Sequence, residues 1–172
     1  MNEEPSLARV ALKWGAILGV ISIVFSLILF ITNTVGNTGI GSISYLFTIG
    51  VLIMAMREFR TLNGGFMRYG QGLSIGALTA GISGLLSSLF SVFYTTVIDT
   101  GVMERMVETT RDKLEESGLP DEQIDAQMKI IEMFQSPGLL FIFGVIGSIF
   151  MGFLFSLVIA AIMKKEKTNV FE

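Results

Sequence analysis

Three stretches of the chain, residues 14–56, 69–98 and 135–163, contain no Asp, Glu, Lys, Arg or His. About 20 predominantly apolar residues cross a bilayer core of about 30 Å, so the first stretch has room for two crossings. The polar run TNTVGNTG, residues 32–39, divides it. The pattern therefore predicts four transmembrane helices, near residues 10–31, 40–56, 73–98 and 138–163. The second is short and the third long, a mismatch that tilt or extension beyond the lipid accommodates.

Between the third and fourth spans the pattern changes. In residues 99–136 the positions Val102, Met103, Met106, Val107, Thr110 and Leu114 recur at three- and four-residue spacing, as do Ile124, Met128, Ile131 and Phe134. This is the period of an amphipathic helix. Ser117-Gly118-Leu119-Pro120 separates the two sets, with Gly118 suited to a left-handed cap and Pro120 to opening a new helix. Asp121 and Glu122 then fall where a helix N-terminus favours negative charge. The expected element is a helical hairpin whose two apolar stripes form one seam. That seam closes the hairpin and caps the bundle, or docks another protein, or lies as an interfacial segment, the last disfavoured by its acidity beside anionic headgroups.

A second period runs through the spans themselves. Gly72, Gly76, Ala80, Gly84 and Ser88 recur every fourth residue, and so do Gly144, Ser148, Gly152, Ser156 and Ala160. A shorter version, Ala11, Gly15 and Gly19, lies in the first span. Residues four apart share a helix face, and small residues on that face let two backbones approach closely where no hydrophobic force drives helices together. These runs read as packing strips, either between the chain's own helices or between copies in a homo-oligomer. The segments GAI with IS at residues 15–22 and GAL with IS at 76–83 also hint at two related helical hairpins.

The same glycines invite another reading, because Gly70, Gly72 and Gly76 resemble a loosened dinucleotide-binding fingerprint. That fingerprint needs a buried strand before it and an acidic residue about 20 positions after it. Here a charged segment precedes it and more membrane follows, so neither nucleotide nor nucleic acid is an expected partner.

Charge fixes the expected orientation. Arg9, Lys13, Arg57, Arg60, Arg68, Lys164, Lys165 and Lys167 all fall on one side of the four spans. The other side holds residues 99–136, with ten acidic residues against four basic ones. The basic side is retained in the cytoplasm, which places both termini inside and residues 99–136 outside, in the periplasm. Trp14 and Tyr69 then lie near the inner boundary, and Tyr45 and Tyr94 near the outer one, as interfacial aromatics should. The first span is read as uncleaved, since its apolar run exceeds that of a signal peptide and MNEEP is acidic.

Little catalytic chemistry remains available. The chain has no cysteine and no histidine, which removes thiolate nucleophiles, imidazole bases and most zinc sites. The acidic segment lacks the spacing of a calcium loop, so neither metal nor cofactor is expected. No ionisable residue interrupts the spans, although such residues mark most pumps and ion pathways. Their polar groups are hydroxyls, which by default bond their own preceding turn. Asp99 and Arg68 read as ordinary helix-end charges. The expected protein is all-α, a single membrane domain over residues 1–172, non-enzymatic, with the bilayer and an envelope protein or second copy as partners. A small transporter or channel subunit, its pathway completed by oligomerisation, is the alternative.

Three segments carry a family resemblance: NGGFMRYGQGLSIG opening the third span, FYTTVID closing it, and MFQSPGLLFIFGVIGSIFMGFLFSLVIAAIMKK at residues 133–165. Together they resemble the bacterial four-span membrane proteins grouped as domain of unknown function 4199. The likeness covers roughly residues 8–165 and implies an integral membrane protein of a Gram-negative envelope. It implies no reaction, substrate or catalytic residue.

Overall fold

The computed structural model describes residues 5–35, 37–133 and 136–166. Among them the structure is helical, with one isolated β-bridge and no strand. In chain order the helices are α1 (Leu7–Ile31), the single turn α2 (Thr38–Gly41), α3 (Ile43–Leu62), α4 (Tyr69–Phe93), α5 (Val102–Glu116), α6 (Asp121–Met133) and α7 (Pro137–Met163). A π-helical turn, Tyr94–Ile98, prolongs α4. Four of these are long and apolar enough to cross a membrane: Leu7–Ile31, Gly39–Leu62, Tyr69–Ile98 and Pro137–Met163. The chain is a four-span integral membrane protein.

Local signals set the helix ends. The Ser6 side chain accepts a hydrogen bond from the Arg9 amide at 3.3 Å and opens α1. Ser136 does the same for the Leu139 amide of α7, and Pro137 follows at the first helical position, where its missing N–H costs nothing. The Gln71 side chain accepts from the Arg68 amide at 2.8 Å and caps α4. The turn between α3 and α4 runs through Gly64 and Gly65 at φ of +66° and +89°, a backbone that side chains rarely tolerate.

The second span is not short. α3 continues past the uncharged stretch to Leu62 because its last turns are amphipathic and bury Phe59. The third span is long for a different reason. At Tyr94 the hydrogen-bond step lengthens, and the Asp99 amide donates to the Tyr94 carbonyl at 2.9 Å. Tyr94 itself is buried, stacked on Phe30 with ring centroids 4.5 Å apart, so it works as a packing residue more than as a headgroup anchor.

α4 is the centre of the bundle, with α1 on one face and α7 on another. α3 leans on all three, mainly through its second half. The apolar core accordingly collects at the basic end, where Val10, Leu52, Met56, Phe59, Met67, Ile75 and Ile159 pack together. The α3–α4 turn fastens to the end of α7 there. Met67 and Lys165 exchange two backbone hydrogen bonds of 2.9 Å, and Arg60 donates to the carbonyls of Gly65 and Met163. Towards the other end α3 has no buried residue before Val51, and its opening turns meet the bundle through Phe47 on Phe25 and Tyr45 on Phe155.

Candidate functional site

Each small-residue strip lies against a specific partner. A Cβ placed on Gly72 would meet Ala160 Cβ at 2.6 Å, and one on Gly76 would meet Ser156 Cβ at 2.6 Å. A Cβ on Gly152 would collide with Ala80, one on Gly84 would reach Ser148 Cβ at 2.7 Å, and one on Gly144 would collide with Ser88. Every step of four up α4 is thus matched by a step of four down α7, in one antiparallel register. The whole strip Gly72, Gly76, Ala80, Gly84 and Ser88 is buried. Gly15 and Gly19 face α4 as well, with positions for a Cβ at 2.7 Å from Ile82 Cβ and 2.6 Å from Leu86 Cδ1. The strips close the chain's own bundle.

The repeat hinted at by residues 15–22 and 76–83 does not extend to packing. Two equivalent hairpins would set the glycines of α1 against α3, as those of α4 are set against α7. They face α4 instead.

Where the strips end, the bundle opens. A cavity of about 220 Å³ lies between α1, α3, α4 and α7, lined by Ser22, Ser26, Ser44, Ser87, Ser88 and Ser91 together with Phe25 and Phe47. A second, of about 240 Å³, shares Ser22, Ser44 and Ser87 with it and adds Thr48, Ser83 and Ser148. No charged residue lines either cavity. Both occupy the half of the bundle away from the basic end, directly beyond the apolar core.

The hydroxyls there do not all bond their own helix. Thr48 donates to the Ser44 carbonyl at 3.0 Å and Ser156 to the Gly152 carbonyl at 2.6 Å, as helix hydroxyls commonly do. Ser148 instead reaches across to the Ala80 carbonyl at 3.1 Å while also contacting that of Val145. Ser22 and Ser83 join α1 to α4 at 3.5 Å. Ser26, Ser88 and Ser91 make no hydrogen bond among the described residues, and Ser88 is only 7% exposed. Thr79, fully buried between α4 and its neighbours, also leaves its hydroxyl without a partner among the described residues.

Charge appears at the two ends. At the basic end one carboxylate oxygen of Glu58 receives Lys13 Nζ at 2.7 Å and Trp14 Nε1 at 2.8 Å, which ties α1 to α3. Nothing in the sequence singled out Glu58, a lone acid among Arg57 and Arg60. At the other end Asp99 is no free helix-end charge. Arg105 bridges it at 2.5 Å and also donates to Asn33 Oδ1 at 3.0 Å, so the π-turn, the start of α5 and the end of α1 meet. The Arg105 hydrogen bond holds the Asp99 carboxyl below its ordinary pKa.

α5 and α6 pack on one another and touch the long helices only sparsely. Ile124 and Met128 are buried, and Met103, Met106, Val107, Leu114 and Ile131 are half-buried, so the two apolar stripes face inward. Phe134 lies outside the described residues. Ile130 and Met133 point away from the seam at 57% and 67% exposure. Among the described residues no group of three or more His, Cys, Asp or Glu converges as a metal site.

No curated protein and no solved structure matches this chain. One family model does, described as protein of unknown function (DUF4199), and it aligns with residues 13–165. That range takes in most of the first span and the whole of the other three, the cavities and the α5–α6 pair, and the chain belongs to the DUF4199 family.

Proposed function

We propose that this protein is a non-enzymatic scaffold, accessory or assembly subunit of the bacterial inner membrane, with the acidic α5–α6 pair as its outward handle. The observation that carries this reading is the division of labour between surfaces. The strips best suited to recruiting another membrane helix are engaged within the chain. The element that touches the bundle only sparsely, beyond the tie at the start of α5, is the α5–α6 pair, strongly acidic and carrying Ile130 and Met133 in the open. Its charge suits a basic protein surface and disfavours anionic headgroups. Both termini are taken to be cytoplasmic and residues 99–136 periplasmic, on the distribution of Lys and Arg.

Deleting residues 102–134 and rejoining the π-turn to α7 tests the handle. Proteins that co-purify with the full chain from native membranes should be lost, while the bundle keeps its helicity. Partners retained unchanged would defeat the reading. A C-terminal alkaline phosphatase fusion tests the orientation, and activity in that fusion would reverse it.

The alternative, a transporter or channel subunit, draws support from the hydroxyl-lined cavities. It loses support as a pathway built by oligomerisation, because the strips that would pair copies are engaged within the chain.

A further inference from the structure

The cavities combine two kinds of wall. Ser26, Ser88 and Ser91 offer hydroxyl hydrogens with no acceptor among the described residues, while Ile21, Phe25 and Phe47 supply an apolar surface between them. An unpaired hydroxyl in an apolar medium costs roughly 2–7 kcal/mol, depending on the reference state. Three such groups at one site are best satisfied by acceptors from outside the chain, and Ser88, only 7% exposed, meets whatever fills the cavity. The cavity has space for several waters at the ~30 Å³ each fills in the liquid. Water alone, however, would leave Phe25 and Phe47 wetted. Their rings meet edge to face at 5.9 Å and line the space beside the serines.

Charge narrows the occupant further. No ionisable group lines either cavity, so a charged ligand would enter without a counter-ion inside the bilayer and meet the penalty that keeps charges out of spans. The two cavities, about 220 and 240 Å³, are each just below the ~300–1,000 Å³ of small-molecule sites, and Ser22, Ser44 and Ser87 line both. We propose that they form one binding site for a small uncharged amphiphile. Its hydroxyl or ester oxygen accepts hydrogen bonds from Ser26, Ser88 and Ser91, and its apolar body lies on Ile21, Phe25 and Phe47. The apolar core at the basic end closes the site below, so the occupant enters from the opposite half of the membrane. This inference concerns the bundle interior and stands whether or not the α5–α6 pair is a handle.

The test uses the full chain in lipid nanodiscs and a diazirine-bearing octanol as photolabel. Labelling should concentrate on Ile21, Phe25 and Phe47, and 1-octanol should compete where octyl sulfate does not. The triple substitution Ser26→Ala, Ser88→Ala and Ser91→Ala should lower that labelling at least fivefold while helicity stays constant. Ser26→Thr, which keeps the donor, should restore part of it in the background of the other two substitutions. Competition by monoolein as well as octanol would identify a lipid ester as the natural occupant, and competition by octanol alone a free solute. Labelling spread over lipid-facing positions such as Val24 and Ile146, unchanged by the triple substitution, would overturn the proposal. So would a Ser88→Cys thiol that reacts with an uncharged maleimide and gains no protection from octanol, since the cavity would then hold water only.

Discussion

Gly152→Ala is the sharpest single perturbation of this bundle. The added Cβ would overlap Ala80 Cβ and come within 3.2 Å of the Gly76 carbonyl oxygen. Carbon atoms attract best at about 3.5–4.0 Å, so α4 and α7 must part locally by more than 1 Å. Overpacking of this kind costs about 1–3 kcal/mol. Alanine returns about 1 kcal/mol through its better helix propensity, and the single variant should lose between zero and about 2 kcal/mol. The propensity contribution obscures the steric one, which is why the partner substitution matters. In Gly152→Ala with Ala80→Gly the two residues merely exchange helices, so propensity cancels. The remaining tight contact is the 3.2 Å approach to the Gly76 oxygen, which a shift of a few tenths of an ångström relieves. Reversible unfolding in mixed detergent micelles, followed by helicity, should give a coupling of 1–3 kcal/mol between the two sites, the range of residues in direct contact. Gly50→Ala is the control, since nothing lies within 4 Å of its added Cβ in α3. It should be neutral or stabilising. Additive effects of Gly152→Ala and Ala80→Gly, or a Gly50→Ala as damaging as Gly152→Ala, would refute the register.

Thr79→Val keeps the shape of a fully buried side chain and removes its unpartnered hydroxyl. It should raise stability by about 1 kcal/mol in the same assay, and a loss would mean that the hydroxyl has a partner after all. Glu58→Leu should shift the emission of Trp14, the one tryptophan, by freeing its indole N–H, whereas Glu58→Gln should retain most of the native spectrum. The stability lost with the Lys13 pair should stay within about 1 kcal/mol, as for other partly exposed pairs. Asp99 has a lowered pKa, so its tie to Arg105 is fully present above the unfolded value near 3.8 and is lost as pH falls through the still lower folded value. Amide exchange at the start of α5 should therefore be steady from pH 7 to about pH 4.5, relative to its intrinsic rate. It should rise only below about pH 3.8, and in Asp99→Asn at every pH.

The four spans and the strips were legible in the sequence because both rest on spacing and side-chain size. The partner of each strip was not. Glycine permits close approach without specifying what approaches, and the strip of α1 had no mark to send it to α4 instead of α3. The length of α3 was hidden by Arg57, Glu58 and Arg60, which read as a loop. The helix continues through them because Phe59 is buried on the opposite face. Asp99 was visible as a residue, but its partner Arg105 lies beyond the break between the π-turn and α5, where no helical spacing relates the two. The serines were all visible too. Which of them bond their own helix depends on rotamers and neighbours, so a row of structural hydroxyls could not be told from the lining of a cavity.

The central place of α4 has a consequence for how the protein is made. It is the least apolar of the four spans and the one most covered by its neighbours. Its partner α7 is the last to emerge, with some forty residues of acidic segment between them. At roughly 5–20 residues per second of synthesis, α4 waits some seconds with its glycine strip facing lipid or translocation machinery. During that interval α1, already inserted, is the neighbour that can cover its other face through Gly15 and Gly19. Substitutions at those two glycines should therefore act early, on the retention of α4 in the bilayer, whereas substitutions in α7 act only on the finished bundle.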